Sequence, residues 1–238
     1  KDTLNYWYRP KLEVDSLIFE VIRGQSIDTA VVRIKDFKSD SLVFKPLSSN
    51  LKLQDSYIIS ASTPLEYVDE SKVRVMNKDS VFVKATMVLD PTTNSVVLEF
   101  DKTEKNSYEI QLLPTALTDF YGVANDTLNY RASTKLQSDY GDVRISISNG
   151  VYPLIVQIIN DKGLVIESAV ALNASAVDFQ SVTPGVYFLR AVFDTNKNGS
   201  YDSGSYLSKI QPERVSYAST PIEVRAGWDT IEEFVLAD

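Results

Sequence analysis

Short runs rich in Val, Ile, Tyr and Phe recur along the chain, separated by turn residues roughly every eight to twelve positions. In the first half they fall at residues 16–22, 29–35, 41–45, 56–61, 72–76, 80–89, 95–100 and 108–113. In the second half they fall at residues 142–148, 152–160, 163–168, 177–181, 185–193 and 220–236. Each run predicts a strand, and together they predict an all-β chain of sandwich modules. No stretch keeps a helical period over three turns. The alanine-rich stretch 169–176 has the composition for one helical turn but lacks caps.

An internal echo places the first boundary. Asp2-Thr3-Leu4-Asn5-Tyr6 recurs as Asp126-Thr127-Leu128-Asn129-Tyr130, after a turn at Asp119-Phe120-Tyr121-Gly122. Residues 125–132 then read as the closing strand of one sandwich, and the first residues as the matching strand of an incomplete one. Within residues 51–134 the order is that of a full module. Pro64 breaks the ladder after the first strand because proline cannot donate to it, residues 69–72 open the next strand, and Pro91 presets a hairpin loop.

The order DSYIISASTPLEYVDESKVRV followed by YEIQLLPTALTDFYGVANDTLNY resembles the bacterial Ig-like domain of S-layer proteins and of Bacteroidota lipoproteins. From residue 140 the rhythm restarts. There YPLIVQIINDKGLVIES, with FQSVTPGVYFLRAVFDTNKNGSYDSG, is similar to transthyretin-like or carboxypeptidase-regulatory-like sandwiches. The tail QPERVSYASTPIEVRAGWDTIEEFVL looks like the end of Ig-like envelope lipoproteins of Bacteroidota. These resemblances imply tandem immunoglobulin-like β-sandwich modules: a partial one at residues 1–50, a bacterial Ig-like sandwich at 51–134 and a transthyretin-like sandwich at 135–238. They imply presentation or docking, and no catalytic residue carries over from them.

Composition narrows the chemistry. Of 238 residues, 44% are hydrophobic and 24% charged, which is the make-up of a folded chain. The net charge of −8 argues against nucleic acid and anionic membranes as partners, since both require a positive face. The absence of cysteine excludes disulfides and thiolate metal sites, and the absence of histidine excludes Ser-His-Asp and Cys-His catalysis as well as imidazole zinc sites. No apolar run is long enough to cross a bilayer. The first residue is Lys1, ahead of a strand-like stretch, so an export signal or lipid anchor is expected upstream, with the chain held at the periplasm or cell surface in association with the outer membrane.

The sharpest local motif runs from Asp194 to Asp202. Oxygen side chains stand at its positions one, three, five and nine and a glycine at six, as in a calcium loop. A structural calcium ion would take Asp194, Asn196, Asn198 and Asp202 as side-chain ligands and the carbonyl of Ser200 as a fifth. The twelfth position is Ser205 and not the bidentate Glu of an EF-hand, so the same residues also read as an Asx-rich turn. Seven Asp-Ser/Thr-apolar triplets resemble the O-glycosylation acceptor of Bacteroidota, with Thr3, Ser16, Thr29, Ser41, Ser80, Thr127 and Thr230 as acceptors. Turn-to-strand transitions use the same residue types. The carboxylate pairs Asp69-Glu70 and Glu232-Glu233 point to opposite faces of a strand and cannot flank one bond. Tyr6, Trp7 and Tyr8 cannot all face one core, so at least one meets solvent, a neighbouring module or a partner. Residues 209–214 read as a solvated loop. The expectation is a non-catalytic envelope scaffold or protein-docking module, with carbohydrate binding or adhesion as the alternative and a carboxylate hydrolase as a distant third.

Overall fold

The computed structural model describes residues 6–9, 14–24, 26–33 and 41–236. The chain divides into two compact units, residues 1–134 and 135–238. Among the described residues there is no α-helix, only single 3-10 turns at Glu70–Lys72 and Gln137–Asp139. Strands and sheets make up the remaining regular structure, so the fold is all-β.

In the first unit, β1 (Ser16–Arg23) and β2 (Ser26–Arg33) form an antiparallel hairpin. Then follow β3 (Phe44–Pro46), β4 (Asn50–Leu51), β5 (Tyr57–Ala61), β6 (Leu65–Val68), β7 (Val73–Asn77), β8 (Phe82–Val83) and β9 (Ala85–Asp90). β10 (Ser95–Phe100), β11 (Ser107–Leu112), β12 (Leu117–Asp119) and β13 (Leu128–Thr134) complete the unit. One sheet has the order β3-β5-β10-β9, the other β4-β13-β11-β7-β8, and β6 pairs with β12. Residues 44–51 therefore belong to this sandwich through β3 and β4, ahead of the boundary that the sequence pattern put at residue 51.

Alternation builds the core. Tyr57 and Ile59 of one sheet, with Val96, Leu98 and Phe100, face Val75, Tyr108, Ile110, Leu112 and Ala132 of the other, all buried. Fully burying a side chain of this size contributes about 1.5–3 kcal/mol. Three strand assignments change. The run expected at residues 80–89 is cut at Lys84, because β8 and β9 belong to different sheets. The break expected over residues 62–65 ends one residue early, since β6 already begins at Leu65. Residues 69–72, expected to open a strand, form the 3-10 turn, capped by Asp69, whose carboxylate accepts from the N–H and the hydroxyl of Ser71. Those bonds, the hydroxyl's foremost, hold the Asp69 carboxyl below the usual carboxylate range.

Asn125 lies outside β13 and works as a buried plug. Its amide donates to the carbonyls of Leu113 and Asp126, and its oxygen accepts from Leu117 N–H. Beside it Asp119, 1% exposed, accepts from the Thr63 hydroxyl and from the N–H groups of Tyr121 and Val123. A buried carboxylate is tolerated when donors meet it on every side, and these shape the turn at residues 119–123.

The second unit contains β14 (Gly141–Ser148), β15 (Leu154–Ile159), β16 (Val165–Ala171), β17 (Ala176–Val182), β18 (Gly185–Phe193), β19 (Val215–Tyr217), β20 (Ile222–Val224) and β21 (Asp229–Val235). One sheet is β17-β14-β21, with β14 and β21 parallel; the other runs β16-β15-β18-β19, with β20 also on β18. The alanines at 169–176 lie in β16, its following turn and the start of β17, where small side chains fit close sheet packing, so no helical turn forms. The run 220–236 is two strands, separated by a turn in which Gly227 has φ 72°. Val143, Ile145, Val156, Ile158, Leu189 and Phe234 lie in the core.

Candidate functional sites

The excursion between β18 and β19 starts at Asp194, which is 2% exposed. Its two carboxylate oxygens accept from the N–H groups of Asn198 and Gly199, at 3.0 and 2.9 Å. Asn196 Oδ1 also accepts from Asn198 N–H, and Asn198 Oδ1 accepts from Ser200 N–H. Both amide groups turn their Nδ2 donors to Asp202 Oδ2, at 2.5 and 2.8 Å. Gly199, at φ 72°, supplies the left-handed residue that the turn requires. Asp194, Asn196, Asn198, Ser200 and Asp202 thus belong to one hydrogen-bonded loop. Among the described residues no three acidic side chains group as a metal centre.

A residue that the sequence reading passed over closes this loop. Glu213, within the stretch expected to be a solvated loop, is only 8% exposed. Its Oε1 accepts from the N–H and hydroxyl of Thr195, and its Oε2 from Asp202 N–H. The Glu213 N–H donates in turn to the Asp202 carbonyl. An isolated Glu beside Pro212 carries no periodic signal; its spacing from the Asp/Asn loop was the one available clue.

Beyond the brace, Ser205 and Ile210 exchange two backbone hydrogen bonds, and the turn between them presents Tyr206 and Leu207, 96% and 85% exposed. At the other end of the chain, Trp7 and Tyr8 are half-buried and Tyr6 is exposed. The Tyr6 ring meets Phe19 edge-on at 5.3 Å, and Trp7 meets Tyr121 at 6.4 Å. Arg9 lies over the Phe120 ring and pairs with Glu66 at 2.8 Å.

Of the hydroxyls in the Asp-Ser/Thr triplets, Thr29, Ser41, Ser80 and Thr127 are exposed. Ser16 is half-buried and donates to Asp15, Thr230 is half-buried in β21, and Thr3 lies outside the described residues, as does the first copy of the repeat up to Asn5. The carboxylate pairs have structural partners: Asp69 caps its turn, and Glu233 accepts from the Ser148 hydroxyl.

No family model and no curated protein sequence matches the chain, so the resemblance to Bacteroidota lipoproteins rests on the quoted residues alone. Solved structures do align with it. The Bacillus anthracis TIE protein aligns over 85% of this chain and 41% of its own length, at 12% identity and a TM-score of 0.27. The chain therefore spans less than half of that protein. BcpA, the major pilin subunit of Bacillus cereus, aligns over 92% of this chain and 77% of its own, at 8% identity and a TM-score of 0.28. The group B streptococcus pilus 2b backbone protein aligns over 82% and 98%, at 6% identity and a TM-score of 0.21. No helix among the described residues is long and apolar enough to cross a membrane.

Proposed function

We propose that the chain is a non-catalytic scaffold and protein-docking part of an exported envelope protein. The observation that carries this reading is the turn at residues 205–210. Exposing a whole tyrosine and a whole leucine to water has no folding benefit, whereas an aromatic and an aliphatic anchor on a stiff base are what the centre of an interface uses. The base is stiff because Glu213 and Asp202 tie the excursion's two arms together. Backbone order is thus supplied before binding, which lowers the entropic cost of docking. The exposed triplet hydroxyls at Thr29, Ser41, Ser80 and Thr127 agree with passage through a glycosylating periplasm, and Tyr6, at 65% exposure, offers a second, smaller contact surface.

Calcium enters this reading as a structural brace. Asp194, Asn196, Asn198, the Ser200 carbonyl and Asp202 would be its oxygen ligands, and Asp202 would exchange two amide donors for the ion. A calcium-dependent rise in melting temperature that Asp202→Ala abolishes supports the brace; an unchanged melting temperature refutes it. The docking role is tested by cross-linking in native envelopes, comparing the wild-type chain with the Tyr206→Ser/Leu207→Ser double variant. A stoichiometric partner lost with that variant is the expected outcome. A partner retained at wild-type level removes the turn from the interface.

A further inference from the structure

The outer face of the sheet β13-β11-β7-β8 in the first unit carries a ladder of planar polar groups that the scaffold reading leaves unused. Two rows cross it. In one, Arg131, Glu109, Met76 and Phe82 stand opposite one another on successive strands; in the other, Asn129, Gln111 and Arg74 do. Neighbouring strands are about 4.8 Å apart, and the rows about 7 Å apart. Together they line a shallow groove of about 470 Å³, within the range of small-ligand sites.

The groups are not equally committed. Arg131 donates to Glu109 at 3.0 Å, and Gln111 donates to Asn129 Oδ1 at 3.0 Å. Those contacts pair four side chains and leave the Asn129 amide N–H groups and the Gln111 oxygen, a donor and an acceptor, without a hydrogen bond among the described residues. Arg74, directly across from Gln111, makes no hydrogen bond or ion pair among the described residues. Phe82 keeps 68% of its surface in water at the edge of the groove, beside Met76. A lone guanidinium fork, a row of amides and an exposed aromatic ring form a complementary set. The fork matches a carboxylate, the amides match vicinal hydroxyls, and the ring matches the apolar face of a pyranose.

We propose that this face binds a carboxylate-bearing sugar, an oligosaccharide containing uronic acid, with Arg74 on the carboxylate, Gln111 and Asn129 on ring hydroxyls and Phe82 under a ring. Charge complementarity selects this occupant. Glu109 neutralises Arg131, so Arg74 leaves the groove with one net positive charge inside a chain of net charge −8. The remaining negative charge is screened beyond about 8 Å at physiological salt, so a short acidic oligosaccharide is accepted where a long polyanion is repelled. The inference concerns the first unit and is independent of the docking role assigned to the turn at residues 205–210.

The test is calorimetric titration of the whole chain with trigalacturonate, with cellotriose as the neutral sugar and a triglutamate peptide as the non-sugar anion. Saturable binding of trigalacturonate is expected, weakened by added salt. Arg74→Ala should lower the affinity at least about tenfold, the loss of a charged hydrogen-bonded pair. Phe82→Ala should also lower it, and Arg144→Ala on β14 of the second unit should leave it unchanged. All three replaced side chains are exposed, and melting curves check that each variant is folded. Equal affinity for cellotriose, equal affinity for triglutamate, no binding of trigalacturonate, or binding that survives Arg74→Ala would each overturn the proposal.

Discussion

β11 and β15 hold comparable places, each flanked by two partners in its sheet, yet they are covered differently. β11 alternates: Tyr108, Ile110 and Leu112 are inside, Glu109 and Gln111 outside. In β15 every residue from Leu154 to Ile159 is buried. Its outward positions, Ile155 and Ile159, are as dry as its inward ones, and Gln157 accepts from Arg190 at 2.7 Å. The Asp194–Arg214 excursion returns toward this face, where a side chain at Gly199 would begin 3.9 Å from Val170 Cγ2, next to Ile155 in register. The second unit thus buries the outward positions of its central strand, while the first leaves the corresponding positions open. A buried face adds stability. An open face keeps its polar ladder available.

Substitutions can break this comparison, beginning with the largest effect. Ile155→Ala should cost about 2–5 kcal/mol in urea unfolding of the whole chain, a core-sized penalty at an outward position. A loss below about 1 kcal/mol would mean that the face is open after all. Glu213→Ala leaves the N–H groups of Thr195 and Asp202 without their acceptor. It should cost about 2–3 kcal/mol and expose residues 196–210 to limited proteolysis.

Alkaline pH bears most strongly on the first unit, although burial raises the pKa of Tyr187 in the second unit too. Tyr57 is fully buried and its hydroxyl has no hydrogen-bond partner among the described residues. Burial, with a smaller contribution from Tyr130, pushes its pKa from 10.0 up to about 12. The folded state therefore favours the neutral phenol. Its contribution is complete below pH 10 and is lost as pH rises toward 12, by about 2–3 kcal/mol. The first unit's unfolding transition should fall steeply in that window, and Tyr57→Phe should flatten the slope and raise stability at neutral pH by about 1 kcal/mol. The smallest effect is Gln111→Ala, expected to change stability by no more than about 0.5 kcal/mol because the side chain lies on the open face.

How legible each region was follows from what its residues share with a pattern. Strands such as Ser107–Leu112 and Gly141–Ser148 alternate cleanly and were readable. The break at Lys84 was not, because an apolar run continues through it without Gly or Pro while the chain changes sheets. Asn125 reads as strand by position, but its amide is a plug whose three contacts come from residues 113, 117 and 126. The Asp/Asn loop was visible as spacing, whereas Glu213 was hidden because its role depends on the return arm of the excursion. Arg74, Gln111 and Phe82 looked like ordinary outward positions. Only the register between strands places them in one groove.

The parallel pair β14–β21 also has a mechanical side. Its two strands run the same way through seven paired positions, from Asp142↔Asp229 to Ser148↔Val235. Tension applied at residue 141 and residue 235 pulls them lengthwise in opposite directions, so the rungs are strained together and none is peeled ahead of the rest. The equivalent pair in the first unit, β4–β13, has only two such positions. Pulled lengthwise, β14–β21 shares the load over more than three times as many paired positions as β4–β13.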